Sequence, residues 1–413
     1  MKLDKKKTIL VGIAFLTISA FWQLYDFVVP LMLRQEFGIS DTISGIVMSL
    51  DNVLALFLLP FFGALSDRSL SRFGKRMPYI FVGTLFVSVG MFLLPLAAKI
   101  KNLPLLVVSL GIVLIFMSVY RSPSVALMPD ITIKPLRSEG NAVINLMGAI
   151  GGVFTLVGLS LFDPLKVGYY PIFILVAGLM LLGLAIMIVT VKENQWAQQM
   201  LDDMRHFNIV EIEDDPNTNS LPKEVKRSLW FILASISFWY MGYNAVTTAF
   251  SRYATLQIGL TGREASFVLL FANVGAIVSF IPIGIFSSKF GRKFTIRAGV
   301  CLLGLVFLTA TFYHQFSPLI YLNFVLAGVA WAAINVNSLP MVLEMADSNE
   351  VGKFTGLYYT FSMAAQIVTP IFSGLLFDVF SYRVLFPYAT FFVVLSFITM
   401  SQVKHGDVVL EKE

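Results

Sequence analysis

Twelve stretches of this chain are continuously apolar over lengths that predict membrane-crossing helices. They fall at residues 8–33, 41–65, 78–98, 104–128, 140–162, 170–191, 229–256, 262–286, 295–313, 318–345, 353–377 and 383–402. A helical span needs ~20 mostly apolar residues. The runs do not alternate apolar with polar positions, as the strands of a transmembrane barrel would. The expected class is therefore an all-α integral membrane protein. Pro and Gly recur inside several runs, and neighbouring helices can satisfy the backbone groups they free. One segment breaks the pattern. Residues 192–228 are polar and charged, with Asp202, Asp203, Glu211, Glu213, Asp214 and Asp215. They leave six spans on either side and predict three parts: a bundle over 1–191, a linker over 192–228 and a second bundle over 229–413.

Charge placement orients these spans. With the N-terminus inside, the inside segments and adjoining span ends hold 21 of the 30 Lys and Arg residues, the outside segments and adjoining span ends hold 7, and Arg121 and Arg297 lie further within spans. That bias follows the positive-inside rule. It predicts cytoplasmic termini and a multi-pass protein of the plasma membrane. The net charge of +5 is then topological and gives no reason to expect a nucleic-acid partner. The first apolar run is too long for the core of a signal peptide and lacks a small-residue cleavage site. It reads as a permanent span.

Composition narrows the function classes. Of 413 residues, 57% are hydrophobic and 13% charged, far from the ~25% charged of soluble domains. Twelve spans of ~21 residues would use ~252 residues, leaving loops and a linker but no separate catalytic domain. The single cysteine, Cys301, allows no intrachain disulfide, and His206, His314 and His405 are too far apart in sequence to suggest a metal cluster. Neither HExxH, GxSxG nor a P-loop lysine occurs. An enzyme is not expected, and no cofactor is implied.

The two halves repeat. Phe21-Trp22 recurs as Phe238-Trp239, and Ser71-Arg72-Phe73-Gly74-Lys75-Arg76 recurs as Ser288-Lys289-Phe290-Gly291-Arg292-Lys293, both at an offset of 217. Gly63 matches Gly284 at 221 and Gly140 matches Gly356 at 216, the first copy carrying four extra loop residues after Gly63. Two related six-span halves suit a carrier that exposes a midplane site to each side in turn.

The segment from Gly63-Ala-Leu-Ser-Asp67-Arg68 through Arg72-Phe-Gly74-Lys75-Arg76-Met-Pro78 resembles the loop 2–3 signature of the major facilitator superfamily. Its spacing is similar to that of sucrose carriers and of glycoside–pentoside–hexuronide:cation symporters. Ala126-Leu-Met-Pro-Asp130-Ile-Thr132 resembles the end of span 4 in the same group. The resemblance implies a fold of two pseudo-symmetric six-helix bundles and a sugar substrate, with a disaccharide such as sucrose or maltose expected. It also implies a cytoplasmic gate. Asp67 would lock against the start of span 11 near Gly352 to Thr355, where a helix N-terminus suits a carboxylate. Arg68, Arg72, Asp130, Arg137 and Glu344 would complete the gate. Plant sucrose carriers place a span-4 arginine where this chain has Val125; here the arginine is Arg121, one turn earlier on the same face.

Ionisable groups deep in a span are costly and point to function. Asp26, Asp51 and Arg121 stand out. At ~1.5 Å per residue, Asp26 lies ~27 Å from the cytoplasmic start of span 1, Asp51 ~21 Å above the end of span 2 and Arg121 ~10 Å above the end of span 4. Two acids and one base leave a charge of −1 when all are ionised. A proton (or Na+) that neutralises it would let the carrier isomerise, so proton-coupled symport is expected, with Asp26 or Asp51 as the coupling acid and Arg121 as a nearby modulator.

Substrate groups are expected among neutral polar and aromatic side chains, since a sugar hydroxyl both donates and accepts. Trp22 and Tyr25 share a face with Asp26, beside Asn52 on span 2. Asn141 and Asn145 line one face of span 5. The second half offers Trp239, Tyr243, Asn244, Asn273, Trp331, Asn335 and Asn337, with Tyr359 and Gln366 on one face of span 11. The expected partners are thus a small-molecule sugar, a co-transported cation and the bilayer, with the chain acting as a monomer. The alternative is an efflux pump for drugs or other small molecules, against which the neutral amides argue. A carrier-like sensor is a third reading, which counterflow of labelled sugar would exclude.

Overall fold

A computed structural model describes residues 3–69, 71–132, 136–206, 222–313, 315–345 and 351–406. Among them there is no strand. The helices are α1 (Lys5–Phe37), α2 (Asp41–Asp67), α3 (Met77–Lys99), α4 (Leu103–Asp130), α5 (Arg137–Leu161), the short α6 (Pro164–Val167), α7 (Tyr170–Thr190), α8 (Glu193–His206), α9 (Lys223–Arg252), α10 (Gly262–Phe290), α11 (Arg292–Ala310), α12 (Leu319–Leu343), α13 (Val351–Phe380) and α14 (Leu385–Ser401). Twelve are long and apolar enough to cross a membrane, and these are all but α6 and α8. They coincide with the twelve predicted spans.

The helix ends are built from short-range polar chemistry. Asp4 accepts from the Lys7 N–H at 3.1 Å and Asn102 from the Leu105 N–H at 2.9 Å. Thr261 and Glu264 cap α10 reciprocally, the Glu264 N–H donating to Thr261 Oγ1 and the Thr261 N–H to Glu264 Oε2. Pro78, Pro104 and Pro171 stand in the first turns of α3, α4 and α7, where a missing N–H is harmless.

The chain divides into two compact units. The first comprises residues 1–38 and 50–212, and the second residues 39–49 and 213–413. The division differs from the expected one in two places. The head of α2 is grouped with the second unit, and α8, expected to be linker, is grouped with the first. Glu193 explains the latter, because its carboxylate binds the start of α3. Inside the first unit α1 packs on α5 and α7, and α3 packs on α4 and α7. Inside the second, α9 packs on α13 and α14, and α11 on α12 and α14. In both units the first span therefore meets the fifth and sixth, and the third meets the fourth and sixth. The internal repeat is one of packing as well as of sequence.

Candidate functional site

In the first unit, α1 carries Trp22, Tyr25 and Asp26 on adjoining turns. The Trp22 and Tyr25 rings meet edge to face at 5.4 Å. From α4, the Arg121 guanidinium lies over the Trp22 ring at 5.8 Å, a cation–π geometry. From α2, Asp51 Oδ1 accepts from Asn52 Nδ2 at 2.8 Å. Asp51 is electrostatically coupled to both Arg121 and Asp26. Trp22, Asp26, Asp51, Asn52 and Arg121 are half-buried, and Tyr25 is buried. Trp22 Nε1 is enclosed with no hydrogen-bond partner. Carboxylates in such a setting can take up a cation or a proton.

The second unit assembles an aromatic cluster instead. Tyr243 on α9 stacks on Trp331 of α12 at 3.7 Å with the planes 4° apart. Tyr240 meets the same indole edge-on at 5.4 Å. Tyr358 and Tyr359 on α13 stand edge to face at 5.4 Å, and Tyr358 Oη lies 3.0 Å from Ser338 Oγ. Asn244 Nδ2 donates to the Gln366 carbonyl at 3.4 Å. Tyr240 was not among the expected residues; its spacing of three from Tyr243 was the available signal.

Several expected substrate residues lie inside the packing, bond within their own helix or are exposed. Tyr25, Trp239 and Asn337 are 2%, 0% and 1% exposed, which corrects the expectation that they face a solute. Trp239 is enclosed by its own unit, and Asn337 donates to the Ala333 carbonyl one turn back at 2.9 Å. Asn273 also donates within its own helix, to Leu269 at 3.0 Å, and the Gln366 side chain to Ser362 at 3.3 Å. Asn141, Asn145, Asn335 and Tyr359 are exposed.

The loop between α2 and α3 holds an ion-pair cluster arranged differently from the expected gate. Arg76 is its centre. Its Nε donates to Asp130 Oδ2 at 2.8 Å and its Nη1 to Ser66 Oγ at 2.5 Å and the Gly63 carbonyl at 3.3 Å, while Nη2 pairs with Asp67. Arg68 and Arg72 are exposed and are not the bases that hold Asp67. The reason is geometric: Arg76 stands at the N-cap of α3 and is buried, so its guanidinium points into the bundle end. Burial works against its charge, but the Asp130 and Asp67 carboxylates outweigh burial and hold its pKa above the ordinary guanidinium value. Glu193 at the head of α8 accepts from the Lys75, Arg76 and Met77 N–H groups at 2.7, 3.0 and 3.0 Å. Burial raises its carboxyl above the ordinary 4.5, against the three N–H donors that lower it. The second unit has a simpler counterpart, Arg292 at the head of α11 pairing with Glu344 at the end of α12. The side chains of Arg137, Gly352, Lys353 and Thr355 lie outside the described residues, and with them most of the expected partner of Asp67.

One further cluster went unread. Asp41, the first residue of α2, accepts from Arg252 Nη1 at 2.5 Å, and Tyr382 Oη lies 2.7 and 2.6 Å from its two carboxylate oxygens. Asp378 in turn accepts from the Asp41 and Thr42 N–H groups at 2.9 and 2.7 Å. Arg252 falls inside the predicted span 229–256, so the cost of intramembrane charge was the signal for it.

The family model described as Major Facilitator Superfamily matches residues 11–279 and 232–405. Among curated proteins, the chain is 25% identical over 138 residues to "Sucrose transport protein SUC3" of Arabidopsis thaliana, covering 29% of this chain and 23% of that one. It is 26% identical over 181 residues to "Uncharacterized MFS-type transporter MJ1317" of Methanocaldococcus jannaschii, covering 43% and 44%. It is 31% identical over 140 residues to human "Proton-associated sugar transporter A", covering 31% and 18%. These matches thus span less than half the length of each relative. Among solved structures, a peptide transporter POT in complex with alafosfalin superposes with a TM-score of 0.72 at 14% identity, covering 96% of this chain and 94% of that one. A bacterial homologue of the iron transporter ferroportin gives 0.69 at 14%, covering 98% and 99%. The structural likenesses share the fold.

Proposed function

The chain belongs to the major facilitator superfamily, and on that premise we propose that it is a secondary active transporter that carries a sugar together with a proton. The cargo proposed is a disaccharide of the sucrose or maltose kind, taken up by alternating access of two six-span bundles. The protein works as a monomer in the plasma membrane with both termini in the cytoplasm. Sequence kinship to a sucrose transport protein and to a proton-associated sugar transporter supports the sugar.

The observation that supports the proton is the placement of two intramembrane carboxylates, Asp26 on α1 and Asp51 on α2, in the unit whose α4 sets Arg121 over Trp22. Two intramembrane carboxylates against one arginine in the same unit leave a surplus negative charge when all three are ionised. Taking that charge through a closed state is expensive unless a cation neutralises it. Asp26 and Asp51 are the proposed proton carriers, and Arg121 is the modulator of their ionisation. Tyr243 and Trp331 offer a flat aromatic face for the apolar side of a pyranose, and Asn244, Tyr359 and Gln366 offer neutral donors and acceptors around it.

The test is uptake of labelled mono- and disaccharides into proteoliposomes under an imposed pH gradient, with and without an uncoupler. Sugar-dependent acidification of the lumen is expected, together with loss of accumulation when the uncoupler is added. An Na+ gradient that drives uptake while a pH gradient does not would reassign the coupling ion. Asp26→Asn and Asp51→Asn variants that both accumulate sugar fully would refute the assignment of the acids.

A further inference from the structure

The basic end of the first unit carries a cavity of about 510 Å³ between the head of α3 and the junction of α7 with α8. That volume falls in the range of small-molecule sites. Its walls are apolar. Phe81 and Val82 on α3 and Ile188 on α7 line it and are 43, 40 and 46% exposed. Its rim is basic, with Arg72 and Lys192 lining it and both exposed. Glu193 also lines it, but its carboxylate is engaged by the backbone N–H groups of residues 75–77. Asn194 Nδ2 donates to the Ser71 and Arg72 carbonyls at 3.2 Å each, so α8 holds the loop that presents Arg72.

Depth decides what such a cavity holds. Helix α3 begins at Met77 and α7 ends at Thr190. The apolar walls lie within the spans and the two bases lie just beyond them. Water is a poor filling for an apolar groove inside the hydrocarbon layer, whereas an acyl chain fits it. A phosphate at the rim would meet two cations whose local acid is already satisfied.

We propose that this groove binds one anionic phospholipid, with its phosphate between Arg72 and Lys192 and an acyl chain along Phe81, Val82 and Ile188. The leaflet is the cytoplasmic one if the charge bias sets the orientation as read above. The inference is independent of the cargo and of the coupling ion, and its test measures no transport.

Purified full-length protein is equilibrated with equimolar phosphatidylcholine and phosphatidylglycerol, and retained lipid is counted by native mass spectrometry. Wild type is expected to retain phosphatidylglycerol in preference. Arg72→Gln combined with Lys192→Gln is expected to weaken that retention by about 30-fold, which corresponds to about 1 kcal/mol for each of two bases near an anionic lipid. Ile188→Trp, which fills the groove and keeps both bases, is expected to displace the lipid whatever its headgroup. Equal retention of the two lipids by wild type, or an unchanged preference in the double variant, would overturn the proposal. Displacement of phosphatidylglycerol by millimolar inorganic phosphate would overturn it too, by showing a site for free phosphate.

Discussion

Arg252 donates to Asp41 at 2.5 Å, and both side chains are 3% exposed. The pair joins the end of α9 to the first residue of α2, and Tyr382 closes over the carboxylate. Two charges withdrawn this far from solvent depend on each other for neutralisation. Removing one member of such a pair leaves the other stranded at ~3–5 kcal/mol. Asp41→Asn and Arg252→Gln are each expected to lower stability by an amount of that order. The double variant is expected to lose much less than their sum, because neither charge is then left alone. Denaturant titration of the three variants in detergent checks this, and additive losses would contradict it.

Arg76 joins three parts of the first unit: the end of α2 through Asp67 and Ser66, the end of α4 through Asp130, and its own helix α3. A lysine carries the charge but lacks the fork that reaches two carboxylates at once. Arg76→Lys is therefore expected to lose most of what Arg76→Gln loses, about 2–3 kcal/mol, in the same unfolding assay. Arg68→Gln and Arg72→Gln, at exposed positions, are expected to shift it by under ~0.5 kcal/mol. A loss at Arg68 as large as that at Arg76 would sink this reading of the cluster.

The spans were legible because a membrane helix is specified by a property that each residue carries alone. Hydropathy sums along the chain, so all twelve helices could be read without knowing what packs on what. Asp26, Asp51 and Arg121 were legible for the same reason, being charges where charge is scarce. Partnership is different. Four bases crowd the loop between α2 and α3, and only the turn at Gly74 decides that Arg76 points inward while Arg68 and Arg72 do not. Glu193 was indistinguishable from the other acids of a charged linker until the N–H groups of residues 75–77 were in place. Asp41 and Arg252 are separated by 211 residues, and no local pattern links them. Trp239 misled because its repeat-equivalent, Trp22, is half-buried beside charges, whereas Trp239 itself is sealed in its unit.

Glu193 gives the basic end of the first unit a dependence on pH. Its folded carboxyl titrates above the ordinary 4.5, with burial the main cause. The native state thus holds the proton more tightly than the unfolded chain. Stability from this group is full below pH 4.5 and declines as pH rises through the folded value. Glu193→Gln does not titrate, so the melting temperature of wild type relative to the variant is expected to fall between pH 4 and pH 7. Scanning fluorimetry at three pH values measures it, and a difference that grows with pH would contradict the sign.

The stacked pair of Tyr243 and Trp331 separates recognition from packing. If the indole presents its face to a sugar, Trp331→Ala raises KM for uptake about tenfold or more, as losing ~1.5 kcal/mol of ring contact would. Trp331→Phe keeps a ring and recovers part of the affinity. A Trp331→Ala variant with lowered melting temperature and unchanged KM would assign the pair to packing alone.

Gly74 and Gly291 stand at the same place in the two repeats and hold φ values of +112° and +87°. Those angles strain any residue with a β-carbon, and at Gly74 a β-carbon would also strike Glu193. On either side of the pivot the two copies have traded arginine for lysine and lysine for arginine. Between the two copies the order of the bases at this corner differs while the positive-φ glycine does not. A randomised library of both loops should therefore return glycine at each pivot and exchange of the bases at exposed Arg72 and Lys75, with arginine kept at Arg76.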